Sequence, residues 1–163
     1  MSNSPAITDL EQLKSRSAVS ALLEWNSAAI KSGKLDRDEL TLIMESPFIR
    51  DACFFLRDHQ SFNYMSDLTC VDLYPREPRF EVVYHLLSHS KRERLRIKVQ
   101  LSAADPVVES IVPVWPAANF FEREIFDLFG VRFLGHPNLK RIMMPDDWKG
   151  HPLRKDYPVE GYR

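Results

Sequence analysis

Two neighbouring runs of alternating polarity do most to limit what this chain can fold into. From Arg94 to Leu101 the alternation is unbroken: Leu95, Ile97, Val99 and Leu101 share one side, and Arg94, Arg96, Lys98 and Gln100 the other. A period of two with one apolar side fits a strand that has a buried and a wet face, the usual state of an antiparallel sheet. Arg79 to Ser88 repeats the signal with larger side chains. Phe80, Val82, Tyr84 and Leu86 lie on one face, and Val83, His85 and Leu87 share the other with Glu81. The polar stretch His89–Glu93 between the two runs predicts a hairpin. A shorter apolar run, Asp67–Tyr74, is turned into the pair by Pro75-Arg76-Glu77-Pro78.

Ahead of these strands the signals are weaker. Residues 1–8 are expected to be loose. Residues 9–31 favour helix, with Val19, Leu22, Leu23 and Trp25 as an apolar side, and the part from Trp25 to Lys31 fits helix or strand. Ser32-Gly33-Lys34 reads as a turn, and Glu39–Glu45 as a short strand with Leu40, Leu42 and Met44 on one face. Ser46-Pro47 is a helix start, and that helix runs to about His59 on a stripe of Phe48, Ala52, Phe55 and Leu56 with Cys53 beside it. Val107–Trp115 reads as an irregular connection. The expected class is α+β, an antiparallel meander with helices on one face, divided into an N-terminal helical region (1–38), a globular domain (39–133) and an extended tail (134–163).

A third helix is predicted from Pro116, which suits its first turn. At about 100° per residue, Leu128, Phe121, Ile125, Phe129 and Phe126 fall on one arc, and Gly130 suits the left-handed residue past its end. Glu122 falls inside the arc, either as an edge carboxylate reaching water or as a buried one paired with Arg132 or Arg141. Arg123 and Asp127, four apart, are expected to pair on the surface. The tail follows. Gly-His-Pro occurs at Gly135–Pro137 and again at Gly150–Pro152, and Pro145 and Pro158 add to the breaks, so no long helix can form. Yet Leu139, Ile142, Met143, Met144, Trp148, Leu153 and Tyr157 make it richer in apolar residues than a linker. Fully stretched from Gly135 it could span roughly 95 Å. It could cross onto a partner or wrap its own domain.

Composition narrows the function. At 163 residues the chain is long enough for a real core. A net charge of −1 gives no nucleic-acid footprint, and no apolar run reaches the length of a membrane span. The N-terminus lacks a signal core and transit character, so the product is expected to stay in the compartment where it is made. Cys53 and Cys70 stand alone and read as reduced structural thiols. No phosphate-binding glycine loop or nucleophile elbow is present. His136 and His151 with Asp146, Asp147 and Asp156 could supply ligands to zinc or manganese in a stand-alone enzyme, but each histidine sits beside proline without metal-ligand spacing. Leu153-Arg154-Lys155-Asp156-Tyr157 mixes both charges with an aromatic, and arginine and aromatic residues are enriched at binding hot spots.

The run Ala117-Ala118-Asn119-Phe120-Phe121-Glu122-Arg123-Glu124, followed by Phe126-Asp127-Leu128-Phe129-Gly130, closely resembles the hallmark of the C-type subunit of proton-pumping NADH–quinone oxidoreductase, respiratory complex I. Gly135-His136-Pro137 with Leu139 and Arg141-Ile142, and Gly150 through Pro158, extend the resemblance. So do Ser66-Asp67-Leu68-Thr69 with Val71-Asp72 and the run from Arg79 to Leu86. It covers roughly residues 39–158. It implies a peripheral-arm subunit, on the cytoplasmic side of the bacterial membrane, without catalytic residues of its own. FMN and iron–sulfur clusters are expected in other subunits. Such a chain braces the D-type, quinone-site subunit, from which it is separate, and reaches the membrane only through the complex. On that footing His136, Leu139, Arg141, Trp148, His151, Leu153, Arg154, Lys155 and Tyr157 are expected to face the partner. Glu122, Arg123, Asp127 and Gly130 are expected to be structural. Equivalent subunits of membrane-bound hydrogenases or ferredoxin–quinone oxidoreductases share these motifs.

Overall fold

The computed structural model describes residues 6–161. A five-stranded sheet runs in the order β1-β2-β5-β4-β3. Its strands are β1 (Ile30–Asp36), β2 (Glu39–Met44), β3 (Tyr64–Asp72), β4 (Phe80–Ser88) and β5 (Glu93–Leu101). The meander expected for β3, β4 and β5 is present, with Tyr84 opposite Ile97 and Val82 opposite Val99. The β1–β2 hairpin then adds to β5 in parallel, Leu42 opposite Ile97, so the sheet is mixed rather than wholly antiparallel. A parallel pairing needs a crossover, and the helix α3 (Ile49–Gln60) with β3 and β4 supplies it.

The inner faces of all five strands meet α2 (Ser17–Trp25), α3 and α4 (Ala118–Phe129) in one core. Leu42, Phe80, Val82, Tyr84, Ile97 and Val99 are fully buried there, each apolar side chain contributing about 1.5–3 kcal/mol. The stripe of α3 is Ile49, Ala52, Cys53 and Leu56, with Phe48 only half buried in the turn before it, so the buried side begins one residue later than expected.

The N-terminal segment corrects the reading of the turn. Ser32-Gly33-Lys34 lies inside β1, and the chain reverses at Arg37-Asp38 instead. Gly33 is glycine for lack of room: a Cβ there would sit 2.7 Å from Leu13 Cδ1 and 3.0 Å from Leu42 Cδ2. The short α1 (Leu10–Leu13) packs on this spot. The boundary expected at residue 39 thus falls between two paired strands. Ile7, expected to be loose, exchanges two backbone hydrogen bonds with Leu35 at 2.9 and 2.8 Å; residues 1–5 of that stretch lie outside the described residues. The connection after β5 is also more regular than expected, because β6 (Val107–Glu109) pairs in parallel with β7 (Arg132–Leu134).

Candidate functional site

Helix α4 ends where predicted, with Gly130 at φ 76°. The left-handed backbone disfavours any side chain, and a Cβ would also lie 2.5 Å from Arg154 Nη2 and 2.6 Å from His151 Nε2. The tail is therefore packed against the helix end. It neither extends away nor forms regular elements: residues 135–161 run as turns and bends over the domain's own surface.

Its attachments are polar and specific. Asp127 is buried on α4, and its Oδ2 accepts from the backbone N–H of Ile142, Met143 and Met144 at 3.0, 2.7 and 2.8 Å. Its Oδ1 accepts from Arg141 Nη1 at 2.6 Å. Arg141 continues outward to the carbonyls of Trp148 and Gly150. Burial alone would raise the Asp127 pKa, but these donors outweigh it and hold the carboxyl below its usual range. The expected Arg123–Asp127 surface pair does not form, since Asp127 turns inward while Arg123 donates to the carbonyls of Lys140 and Arg141. Both residues hold the tail.

A second attachment lies at the far end of the tail. Arg79 grips Asp72 through Nε and Nη2 at 2.9 and 2.8 Å, and Asp156 through Nη1 and Nη2 at 2.9 and 2.6 Å. Two forked pairs on one guanidinium use four of its five N–H donors. Asp72 also accepts from the N–H groups of Lys155 and Tyr74. Its burial favours the neutral acid, yet Arg79 and these N–H groups lower its pKa to about 2. Arg79 and Arg154 both lie over the Phe80 ring, 4.9 and 5.1 Å from its centroid. Between the two attachments Leu153 N–H bonds to the Leu128 carbonyl, His151 Nδ1 to that of Asp127, and Arg154 Nε to that of Phe129.

The polar groups thus point inward, and much of the apolar content points out. Ile142, Met143, Trp148 and Leu153 are 38%, 59%, 40% and 50% exposed, beside Phe120 at 63% and Leu134 at 51%. This inverts the usual arrangement of a segment folded onto its own domain. Among the residues expected to face a partner, His136, Leu139, Arg141, His151 and Arg154 turn toward the domain; His136 takes the Asn119 carbonyl, and Leu139 packs on the core. Trp148, Leu153 and Lys155 are exposed, with Tyr157 half buried. His136 and His151 are not brought together, and among the described residues no group of three or more histidine, cysteine, aspartate or glutamate side chains is placed to hold a metal. Sequence reasoning does not join Asp72, Arg79 and Asp156 into a unit. The proline-flanked loop between Asp72 and Arg79 is the visible signal, but Asp156 is 77 residues further along.

Glu122 is buried, and neither expected role applies. Ser110 Oγ donates to its Oε2 at 2.6 Å and the Ile111 N–H to Oε1 at 2.7 Å, with no arginine present; Arg132 pairs with Asp105 and Arg141 with Asp127. Burial outweighs those two donors and raises its pKa to about 7 from 4.5. The folded state therefore holds this proton more tightly than the unfolded chain. The Glu122 contribution to stability is fully present below about pH 4.5 and is lost as pH rises through 7. The loss is on the order of 3 kcal/mol. Glu122→Gln is expected to abolish that decline, read as melting temperature between about pH 5 and 8. An unchanged pH profile in the variant would show that another group titrates.

Residues 42–163 match the family described as the respiratory-chain NADH dehydrogenase 30 kDa subunit. The C-type NADH-quinone oxidoreductase subunit of Roseiflexus sp. (strain RS-1) is 50% identical over 125 residues, 76% of this chain and 72% of that protein. The protein of the same name from Geotalea uraniireducens (strain Rf4) is 43% identical over 88% of each chain. Among solved structures, the trypsin-resistant fragment (1-134) of Nqo5 aligns with TM-score 0.64 and 28% identity over 75% of this chain and 99% of its own. A chain of the membrane-bound sulfane sulfur reductase, an archaeal respiratory membrane complex, aligns with TM-score 0.72 and 29% identity, over 90% of this chain and 86% of that one.

Proposed function

Because the chain belongs to the respiratory-chain NADH dehydrogenase 30 kDa subunit family, we propose that it acts as a non-catalytic scaffold of the peripheral arm, bracing the D-type, quinone-site subunit. The observation that carries this reading is the inverted tail. Polar groups fix it to α4, to β3 and to Arg79 just ahead of β4, and Ile142, Met143, Trp148 and Leu153 are left facing outward. An apolar strip held in place before docking loses little ordering entropy when a partner covers it. Electron transfer from NADH to quinone, coupled to proton translocation, belongs to the assembly, with FMN and iron–sulfur clusters in other subunits. No helix among the described residues is long and apolar enough to cross a membrane. That fits a subunit held at the cytoplasmic face through its neighbours. A second reading, the equivalent subunit of a related respiratory complex, draws on the likeness to the sulfane sulfur reductase chain. The subunits that co-purify decide between them.

Trp148→Ala with Leu153→Ala tests the scaffold role. Both side chains are about half exposed in the free chain, so its melting temperature is expected to stay within about 2 °C. Recovery of the quinone-site subunit with the tagged chain from native membranes is expected to fall at least tenfold, about 1.4 kcal/mol or more. Full recovery would remove the tail from the interface.

A further inference from the structure

At the end of the sheet away from the tail attachments lies a cleft of about 330 Å³ lined by Arg16, Arg37, Arg92 and Arg94 over Leu40 and Phe62. Nine residues of β4 separate it from Arg79, roughly 30 Å of strand. We propose that this cleft receives a polypeptide segment bearing one or two carboxylates from a neighbouring subunit of the same complex. The proposal rests on the scaffold reading for the existence of such neighbours.

The backbone supplies the first observation. Arg37 and Asp38 form the two-residue turn between β1 and β2, with φ of 52° and 65°. Turns of this geometry favour Asn-Gly, and arginine is a poor choice for a left-handed residue. Arg92, last residue of the four between β4 and β5, has φ 55°. Here too glycine or asparagine would be easier. The chain thus places arginine at two positions where the backbone disfavours it. The parallel pairing of β2 with β5, Leu40 opposite Leu95, then brings both loops to one sheet end. Two arginines at left-handed positions lining one cleft point to work done by their side chains.

Charge supplies the second. Arg16 is paired with Asp38, and Glu39 is taken by Arg96. The side chains of Arg37, Arg92 and Arg94 make no hydrogen bond or ion pair among the described residues. Three guanidiniums with one remaining carboxylate on the rim, Glu93, suit isolated carboxylates presented by a folded neighbour. A phosphate-rich surface would meet Asp38, Glu39 and Glu93 as well. The apolar floor favours a peptide segment that brings carbon with its charge.

Two variants separate fold from function. Arg37→Asn with Arg92→Gly relieves the left-handed positions, and is expected to raise the melting temperature of the isolated chain by a few degrees. It is also expected to lower recovery of the assembled complex on the tagged chain about tenfold, more steeply at low salt. Arg94→Gln, in extended strand, is expected to lower recovery with no gain in stability. Undiminished recovery with both variants overturns the proposal while leaving the tail interface standing. Binding of the wild-type chain, but not the variants, to vesicles containing about 30% phosphatidylglycerol overturns the polypeptide assignment in favour of a lipid surface. Failure of the wild-type chain to recover any complex overturns the scaffold reading and this proposal together.

Discussion

Asp127→Ala is expected to release the tail from the domain at a cost of about 4 kcal/mol. The carboxylate is buried, and it satisfies the N–H groups of Ile142, Met143 and Met144 together with Arg141. Removing it leaves these donors without an acceptor and a guanidinium whose side chain is only 16% exposed. Water can reach them only if the tail lifts. The melting temperature is expected to fall by roughly 10 °C, and trypsin to cut first at the exposed Lys140, Lys149 and Lys155. Asp127→Asn, which keeps one acceptor oxygen but loses the charge, should fall between the variant and the wild type. Because the folded carboxyl titrates below 3.8, its contribution is complete above that pH and is lost as pH falls through the folded value. Wild-type resistance to trypsin in the Asp127→Ala chain would show that the tail is held by something else.

Arg79→Ala is the second large effect, about 3 kcal/mol read by urea unfolding. It removes both forked pairs at once. Asp72, whose side chain is 1% exposed, keeps two backbone donors, from Tyr74 and Lys155. Asp156, 45% exposed, returns to water. The asymmetry gives a second readout. The Asp72 pKa of about 2 in the intact protein is expected to move up toward the ordinary aspartate value in the variant, and NMR titration of the carboxyl can follow it. The stability that Asp72 gains from ionising is present above pH 3.8 and lost toward pH 2. With Arg79 gone, that acid limb should flatten. An unshifted Asp72 titration would mean that the backbone N–H groups alone set its charge.

These two anchors also explain what the sequence could convey. The regular elements are local, and their signals are local. The period-two runs mark β4 and β5 nearly to the residue, and the arc of Ile125 and Leu128 with Gly130 places α4 and its end. Gly33 misleads because a glycine required by the close approach of Leu13 carries the same letter as one required by a turn. The parallel joining of β2 to β5 has no periodic signature at all. For the tail, composition shows apolar residues and chain-breaking prolines, but which side faces inward depends on partners 14 to 17 residues away at Asp127 and 77 away at Arg79. Helical spacing puts Asp127 opposite the apolar arc, which suggests solvent. The tail covers that side and buries it.

We propose that the tail is fastened by its polar side before any partner arrives, leaving the apolar side for the quinone-site subunit. The decisive measurement is amide hydrogen exchange of the isolated chain and of the assembled complex, followed at Ile142, Met143, Met144 and Lys155 together with the accessibility of the Trp148 ring to a small quencher. Slow exchange is expected at those four amides in both states, because Asp127 and Asp72 hold them in the free chain, with quenching of Trp148 only in the free chain. Fast exchange in the isolated chain, with protection appearing only on assembly, would contradict it. So would a Trp148 ring that remains open to the quencher within the complex.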